Sequence, residues 1–147
     1  MVFNIICAEV LKMFKWKKEY ETGITIIDEQ HKELFKIGNE SYDLLKNDLI
    51  LDKYDKVVAI LNKLLDYCEY HFSTEEEYLL NIGYKKFLSH KVQHDDFIEK
   101  IKNADIERID HNQDGYLMEV LEFFMEWISG HILATDMDYV KYKKSLI

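Results

Sequence analysis

Apolar residues recur along most of this chain at alternating spacings of three and four, the signature of helices that bury one face. Between Asp52 and Asn81 the stripe reads Val57, Leu61, Leu64, Cys68, His71, Glu75 and Tyr78. An imidazole and a carboxylate thus occupy places that elsewhere in the stripe are mostly apolar. An earlier stripe, Ile27, His31, Leu34, Gly38, Ser41 and Leu45, predicts a first helix from an N-cap at Asp28 to about Asn47. A third, Phe87, His90, His94, Phe97, Ile101 and Ala104, predicts a helix opening near Lys85 or Lys86. The fourth runs through Leu117, Val120, Phe124, Trp127 and His131 towards the C-terminus. The breaks are short: residues 47–52 with Asp52 as a candidate cap, a stop at Gly83, and a turn cluster at 109–115. Connections this short make successive helices antiparallel. The pattern therefore predicts an all-α, up-down-up-down antiparallel four-helix bundle over about 28–143. Residues 14–27 lack a sustained stripe and are expected to form an extended arm, pinned by Trp16 and Tyr20.

Composition agrees with helices, since 147 residues hold no proline and only five glycines. With 48% hydrophobic residues the chain can bury the core of one domain, expected to span 1–147. A net charge of -9 argues against nucleic acid as a partner. Cys7 and Cys68 have no metal-ligand spacing and read as free thiols of a reducing compartment, so a cytoplasmic location is expected. Residues 1–13 are fairly apolar but carry Asn4 and Glu9, have no basic leading region and are too short to span a bilayer. No membrane association is expected. This leader is either a short extra helix packed on the bundle or a neighbouring chain, or Met13 is the true start.

The chemistry lies in the polar residues of the stripes. Five of the six histidines fall on them, and only His111 sits in a polar turn. Residues four apart share a helix face, so His71 with Glu75, and His90 with His94, each aim two donors inward. His131 and Asp136 are five apart, about 140° around a regular helix. Either Asp136 is a surface acid or the helix makes a π-type turn there, and we expect the π turn; Gly130 would ease it. Five imidazoles and two carboxylates are too many for one four-coordinate zinc but suit two octahedral metals sharing carboxylate bridges. Iron leads among the candidates because bundle cores house paired irons. With only two carboxylates such a site stays near neutral, which favours binding and releasing dioxygen over activating it.

The ordered set of a lone His31, His71-x-x-x-Glu75, His90-x-x-x-His94 and His131-x-x-x-x-Asp136, with the approach Gly23-Ile24 to Ile27-Asp28-Glu29-Gln30-His31, resembles the hemerythrin family in its single-domain prokaryotic form. The match covers roughly residues 14–143. The resemblance implies a reversible oxygen-binding centre of two irons bridged by Glu75, Asp136 and an oxo or hydroxo group. In it His90, His94 and His131 hold the saturated iron, and His31 and His71 hold the iron with an open position. Phe72, Trp127, Ile128, Ile132 and Tyr139 correspond to the oxygen pocket. Two features depart from the family: Ile128 stands where leucine is common, and residues 1–12 lie outside its pattern.

Simpler roles account for other residues. Phe72, Phe97, Phe124 and Trp127 are core first, Glu76 is expected to face solvent, and the lysines from Lys141 to Lys144 complement a helix C-terminus. The leading expectation is an oxygen binder with no catalytic turnover. The alternatives are a di-iron oxidase, peroxidase or nitric-oxide-handling enzyme, distinguished by steady consumption of oxidant, and an oxygen or iron sensor, distinguished by a redox-dependent change of partner or assembly.

Overall fold

The computed structural model describes residues 15–103, 109 and 111–147. The leader at 1–13, Cys7 and Ala104 lie outside the described residues. All regular structure among the described residues is helical. Helix α1 is Thr25–Lys46, α2 is Tyr54–Asn81, α3 is Phe87–Lys102 and α4 is Gln113–Gly130. The last continues through a π-helical turn, His131–Asp136, into α5, Met137–Ser145. The helices pack against one another as a four-helix bundle, α1 against α2 and α4, and α2 against α3. Among the described residues no helix is long and apolar enough to cross a membrane.

The arm is real but partly coiled, with a 3-10 turn at Lys18–Tyr20. Trp16, Tyr20 and Phe35 of α1 form a three-ring cluster, with centroids 5.3 to 5.6 Å apart, that holds it down. Helix α1 starts three residues before the expected cap. Asp28 lies inside its first turn and reaches backward, accepting the Thr22 amide and hydroxyl, both at 2.8 Å, and the Gly23 amide at 3.1 Å. The same carboxylate that reads as an N-cap therefore ties the arm to the helix.

The N-cap of α2 is Lys53 rather than the expected Asp52, which stands one residue earlier and accepts the Tyr54 amide at 3.0 Å. The cluster at 109–115 is less of a turn than its composition suggests. Ile109 and His111 are helical, and Asn112 is the cap of α4, accepting the Gly115 amide at 3.2 Å. Buried Lys53 joins the far ends of α1 and α4, donating to the Leu45 carbonyl at 3.2 Å and to Asp114 Oδ1 at 2.9 Å.

Helix α2 ends in a Schellman motif. The Tyr84 amide bonds the Leu79 carbonyl at 2.9 Å and the Gly83 amide the Leu80 carbonyl at 3.1 Å, with Gly83 at φ +65°. Leu79 and Tyr84 then pack together in an apolar cluster with Ile24, Ile27, Tyr139 and Val140. A larger cluster, including Leu34, Leu64, Phe72, Phe97, Leu117, Phe124 and Ile128, fills the remainder of the bundle. On every long helix the imidazoles and carboxylates lie in sequence between residues of one cluster and residues of the other, so they form a polar layer between two apolar ones.

A Cβ on Gly83 meets nothing within 4 Å, so Gly83→Ala should cost only the backbone penalty of the left-handed conformation, about 1–2 kcal/mol. Urea unfolding would read this as a lower midpoint with an unchanged slope; no change would mean that the motif does not hold the α2 terminus.

Candidate metal centre

Each helix contributes to the polar layer in its own register: His31 from α1, His71 and Glu75 from α2, His90 and His94 from α3, His131 and Asp136 from the π turn. All seven are buried, Glu75 and Asp136 completely. In the π turn i and i+5 share a face, so His131 and Asp136 point the same way, with His131 Nε2 3.0 Å from Asp136 Oδ1. Gly130 keeps ordinary helical angles, φ -66° and ψ -41°, and nothing in its surroundings requires a glycine.

Three imidazole nitrogens make a triangle. His90 Nε2 and His131 Nε2 are each 3.1 Å from His94 Nε2, and 3.3 Å from one another. Cis ligands on a common ion with bonds of about 2.1 Å are separated by about 3.0 Å in an octahedron and about 3.4 Å in a tetrahedron. Oxygen atoms extend the set beyond four. Glu75 Oε2 lies 3.0 Å from His94 Nε2 and 3.2 Å from His90 Nε2, and Asp136 Oδ1 lies 3.4 Å from His90 Nε2. Three nitrogens and two oxygens around one point suit an octahedral ion better than a tetrahedral one.

A second, smaller group is formed by His31, His71 and Glu75. His71 Nε2 is 3.9 Å from Glu75 Oε2, and His31 Nε2 is 3.3 Å from Asp136 Oδ2. Asp136 thus turns one oxygen to each imidazole group, and Glu75 Oε2 lies between both.

The electrostatics call for cations. Neither oxygen of Asp136 accepts a hydrogen bond of good geometry, although imidazoles surround it. Unpartnered buried carboxylate oxygens are costly, and the buried lysine, Lys53, is engaged elsewhere. Burial alone would raise the Glu75 carboxyl, but bonds from His90 and His94 hold it well below the usual range. Burial and the Glu75 charge push Asp136 up, and His131 and His31 bring it down further. Burial depresses His71 to about 3, leaving a neutral ring with one free lone pair. Burial also disfavours the His94 cation, yet Glu75 and Glu76 prevail and lift it to about 9. A proton there is a poor substitute for a metal ion. The donor set, its spacing and its unbalanced charge all fit a pair of divalent or trivalent ions.

Outer partners aim the rings. His71 Nδ1 donates to Gln30 Oε1 at 2.8 Å, His94 Nδ1 to Glu76 Oε1 at 3.0 Å and His131 Nδ1 to Gln93 Oε1 at 3.1 Å. Each bond occupies Nδ1 and points Nε2 inward, where its lone pair serves a metal, in His94 once the second proton has left. Glu76 therefore does not simply face solvent as expected; it is mostly covered and paired with His94 and Lys91. Gln30, Glu76 and Gln93 escaped the reading of the stripes because each sits beside a stripe residue. Their signal was adjacency to a ligand position, which sequence alone cannot tell from an ordinary polar face.

Of the expected pocket residues, Phe72, Ile128 and Ile132 are buried in the larger apolar cluster, with Trp127 packed against it. Phe72 stacks on His94 with centroids 3.9 Å apart, and Trp127 on His131 at 4.4 Å. Tyr139 lies apart from these four, in the smaller cluster, where its hydroxyl donates to Glu75 Oε1 at 2.6 Å.

Comparison with known proteins adds identity to this geometry. The model of the hemerythrin HHE cation binding domain matches residues 22–142. A bacteriohemerythrin of Clostridium acetobutylicum is 50% identical over 128 residues, covering 87% of this chain and 99% of the relative. A myohemerythrin of Theromyzon tessulatum is 29% identical over 131 residues, 89% of this chain and 94% of its own length. A bacteriohemerythrin of Pseudomonas aeruginosa is 27% identical over 125 residues, 85% and 78% respectively.

Because His94 is raised to about 9, the metal-free folded chain carries a proton there at neutral pH that a metal must displace. Calorimetric titration with a divalent metal at pH 7.5 in two buffers of different ionisation enthalpy should show net proton release, and affinity should fall as the pH is lowered. A buffer-independent heat would contradict this.

Proposed function

The chain belongs to the hemerythrin family, and from that premise we propose that it binds dioxygen reversibly at a non-haem di-iron centre, for storage, transport or scavenging, without catalytic turnover. The observation that carries the reading is the position of Asp136, whose two oxygens face two different imidazole groups as a bridging carboxylate must. His90, His94 and His131 would hold one iron and His31 and His71 the other, with Glu75 and Asp136 within reach of both. Such a pair would supply reversible two-electron exchange with dioxygen.

The protein side chains make that exchange reversible. Gln30, Glu76 and Gln93 lock the tautomers of His71, His94 and His131, so the inward nitrogens need no reorganisation. The two-imidazole side has fewer protein donors than the three-imidazole side, and this leaves room for a small ligand. Phe72, Trp127, Ile128 and Ile132 present hydrocarbon and indole faces and keep water away from the polar layer. Tyr139, by donating to Glu75 Oε1, orients that carboxylate with Oε2 towards the imidazoles.

Anaerobic loading with ferrous iron should give about two irons per chain, as the seven-donor set requires. A visible band should then develop in air and fade under vacuum through repeated cycles. Steady oxygen consumption with a reductant would identify an oxidase instead, and a chain that takes up no iron would refute the reading. His71→Ala should remove the iron of the two-imidazole side while sparing the other, so metal analysis should approach one iron per chain with oxygen binding abolished.

A further inference from the structure

The five imidazoles of the polar layer do not share one kind of outer partner. His71 and His131 donate from Nδ1 to neutral amides, Gln30 Oε1 at 2.8 Å and Gln93 Oε1 at 3.1 Å. Nδ1 of His31 and Nδ1 of His90 meet no hydrogen-bond partner among the described residues. At Nδ1, His94 alone donates to a carboxylate, Glu76 Oε1 at 3.0 Å. An amide would aim that ring equally well, as Gln30 and Gln93 do for theirs, so orientation does not account for the charge.

The charge falls where the ligand set lacks it. His90, His94 and His131 bring three neutral donors to one point, and the acids beside them, Glu75 and Asp136, also reach towards His71 and His31. An imidazole that donates to a carboxylate is a stronger electron donor at its other nitrogen than one that donates to an amide, because its proton is drawn towards the acid. The added electron density favours a trivalent ion over a divalent one, since the attraction grows with the charge of the ion.

Glu76 is itself held in check. Its Oε2 lies 3.5 Å from Lys91 Nζ, which is also 2.8 Å from Asp95 Oδ1, four residues further along α3. Glu76 and Lys91 lie in the wall of a groove that also touches His94. The Glu76 side chain is 17% exposed and that of Lys91 41%, so the lysine is well hydrated and offsets only part of the field of the carboxylate.

We propose that Glu76 is a positioning residue that acts through His94 to lower the reduction potential of the loaded centre, and that Lys91 limits how far. The proposal rests on the di-iron reading above. Binding dioxygen draws electrons from the metal pair, so a lower potential tightens the hold on dioxygen but also speeds loss of the pair to its oxidised form. A carboxylate tempered by a lysine sets the balance between the two. The competing account is that Glu76 serves only its ion pair with Lys91 and fixes the ring of His94 without altering its electronics.

The experiment uses the full chain, loaded anaerobically with iron and first checked for reversible oxygen binding. Midpoint potentials are then measured by anaerobic redox titration for the native chain and three variants. Glu76→Gln keeps an acceptor for His94 Nδ1 and removes the charge. Changes to such outer partners alter metal affinity about 10- to 100-fold, and a tenfold loss of ferric over ferrous preference raises the potential by about 59 mV. Gln93→Glu keeps the acceptor used by His131 and Thr135 and adds a charge beside the same three imidazoles, so its potential should fall. Lys91→Met should lower the potential by less. An unchanged potential in Glu76→Gln, or a shift of Glu76→Gln and Gln93→Glu in the same direction, would overturn the proposal and leave the oxygen-binding reading intact. Should Glu76→Gln fail to load, the other two decide, since both must fall below the native potential. A native chain that takes up no iron or binds no oxygen brings down both.

Discussion

The structure depends on how a hydrocarbon interior tolerates two buried carboxylates. Removing an ion from water costs several kcal/mol even after the protein relaxes, and a domain of this kind has only about 5–15 kcal/mol of net stability. Glu75 and Asp136 are completely buried, and Asp136 accepts no well-formed hydrogen bond. The five imidazoles soften that cost but do not remove it, because His71 remains neutral and the rings crowd one another around the same two acids. Cations between these groups resolve the conflict, and so the metal reading is first an argument about stability and then one about function.

That constraint explains the layered plan. A polar layer can survive inside a bundle only if apolar residues close it above and below, keeping bulk water from competing for the ligands. The cluster around Leu79, Tyr84 and Tyr139 does this at one end, and the cluster around Phe72, Phe97 and Phe124 at the other. The Schellman turn at Gly83 serves the same end by folding Tyr84 back over Leu79. The arm, pinned by Trp16 and Tyr20 on Phe35, is tied by Asp28 to the start of α1, six residues from which His31 enters the layer.

The π turn shows how a local irregularity serves a global site. A regular helix would rotate Asp136 away from His131; the wider turn brings its carboxylate within 3.0 Å of His131 Nε2 and 3.3 Å of His31 Nε2. One residue thereby links α1 to the C-terminal helix. The outer shell is built with equal economy, since Gln30, Glu76 and Gln93 each neighbour a ligand position on one helix and hold a ring that arrives from another.

Period and residue type were enough to establish four helices, their antiparallel order and the seven inward donors, because helical phase is a local property and a histidine in an apolar stripe is visible without coordinates. The phase conflict at Asp136 even announced the π turn. What the sequence could not decide were contacts between helices and the details of their ends. The start of α1, the helical character of Ile109 and His111, the pairing of Glu76 with His94 and the position of Tyr139 on Glu75 rather than among Phe72, Trp127, Ile128 and Ile132 all depend on which side chain faces which across the bundle. Those choices are made by packing, where partners distant along the chain compete for the same few ångströms, and no one-dimensional pattern records the result.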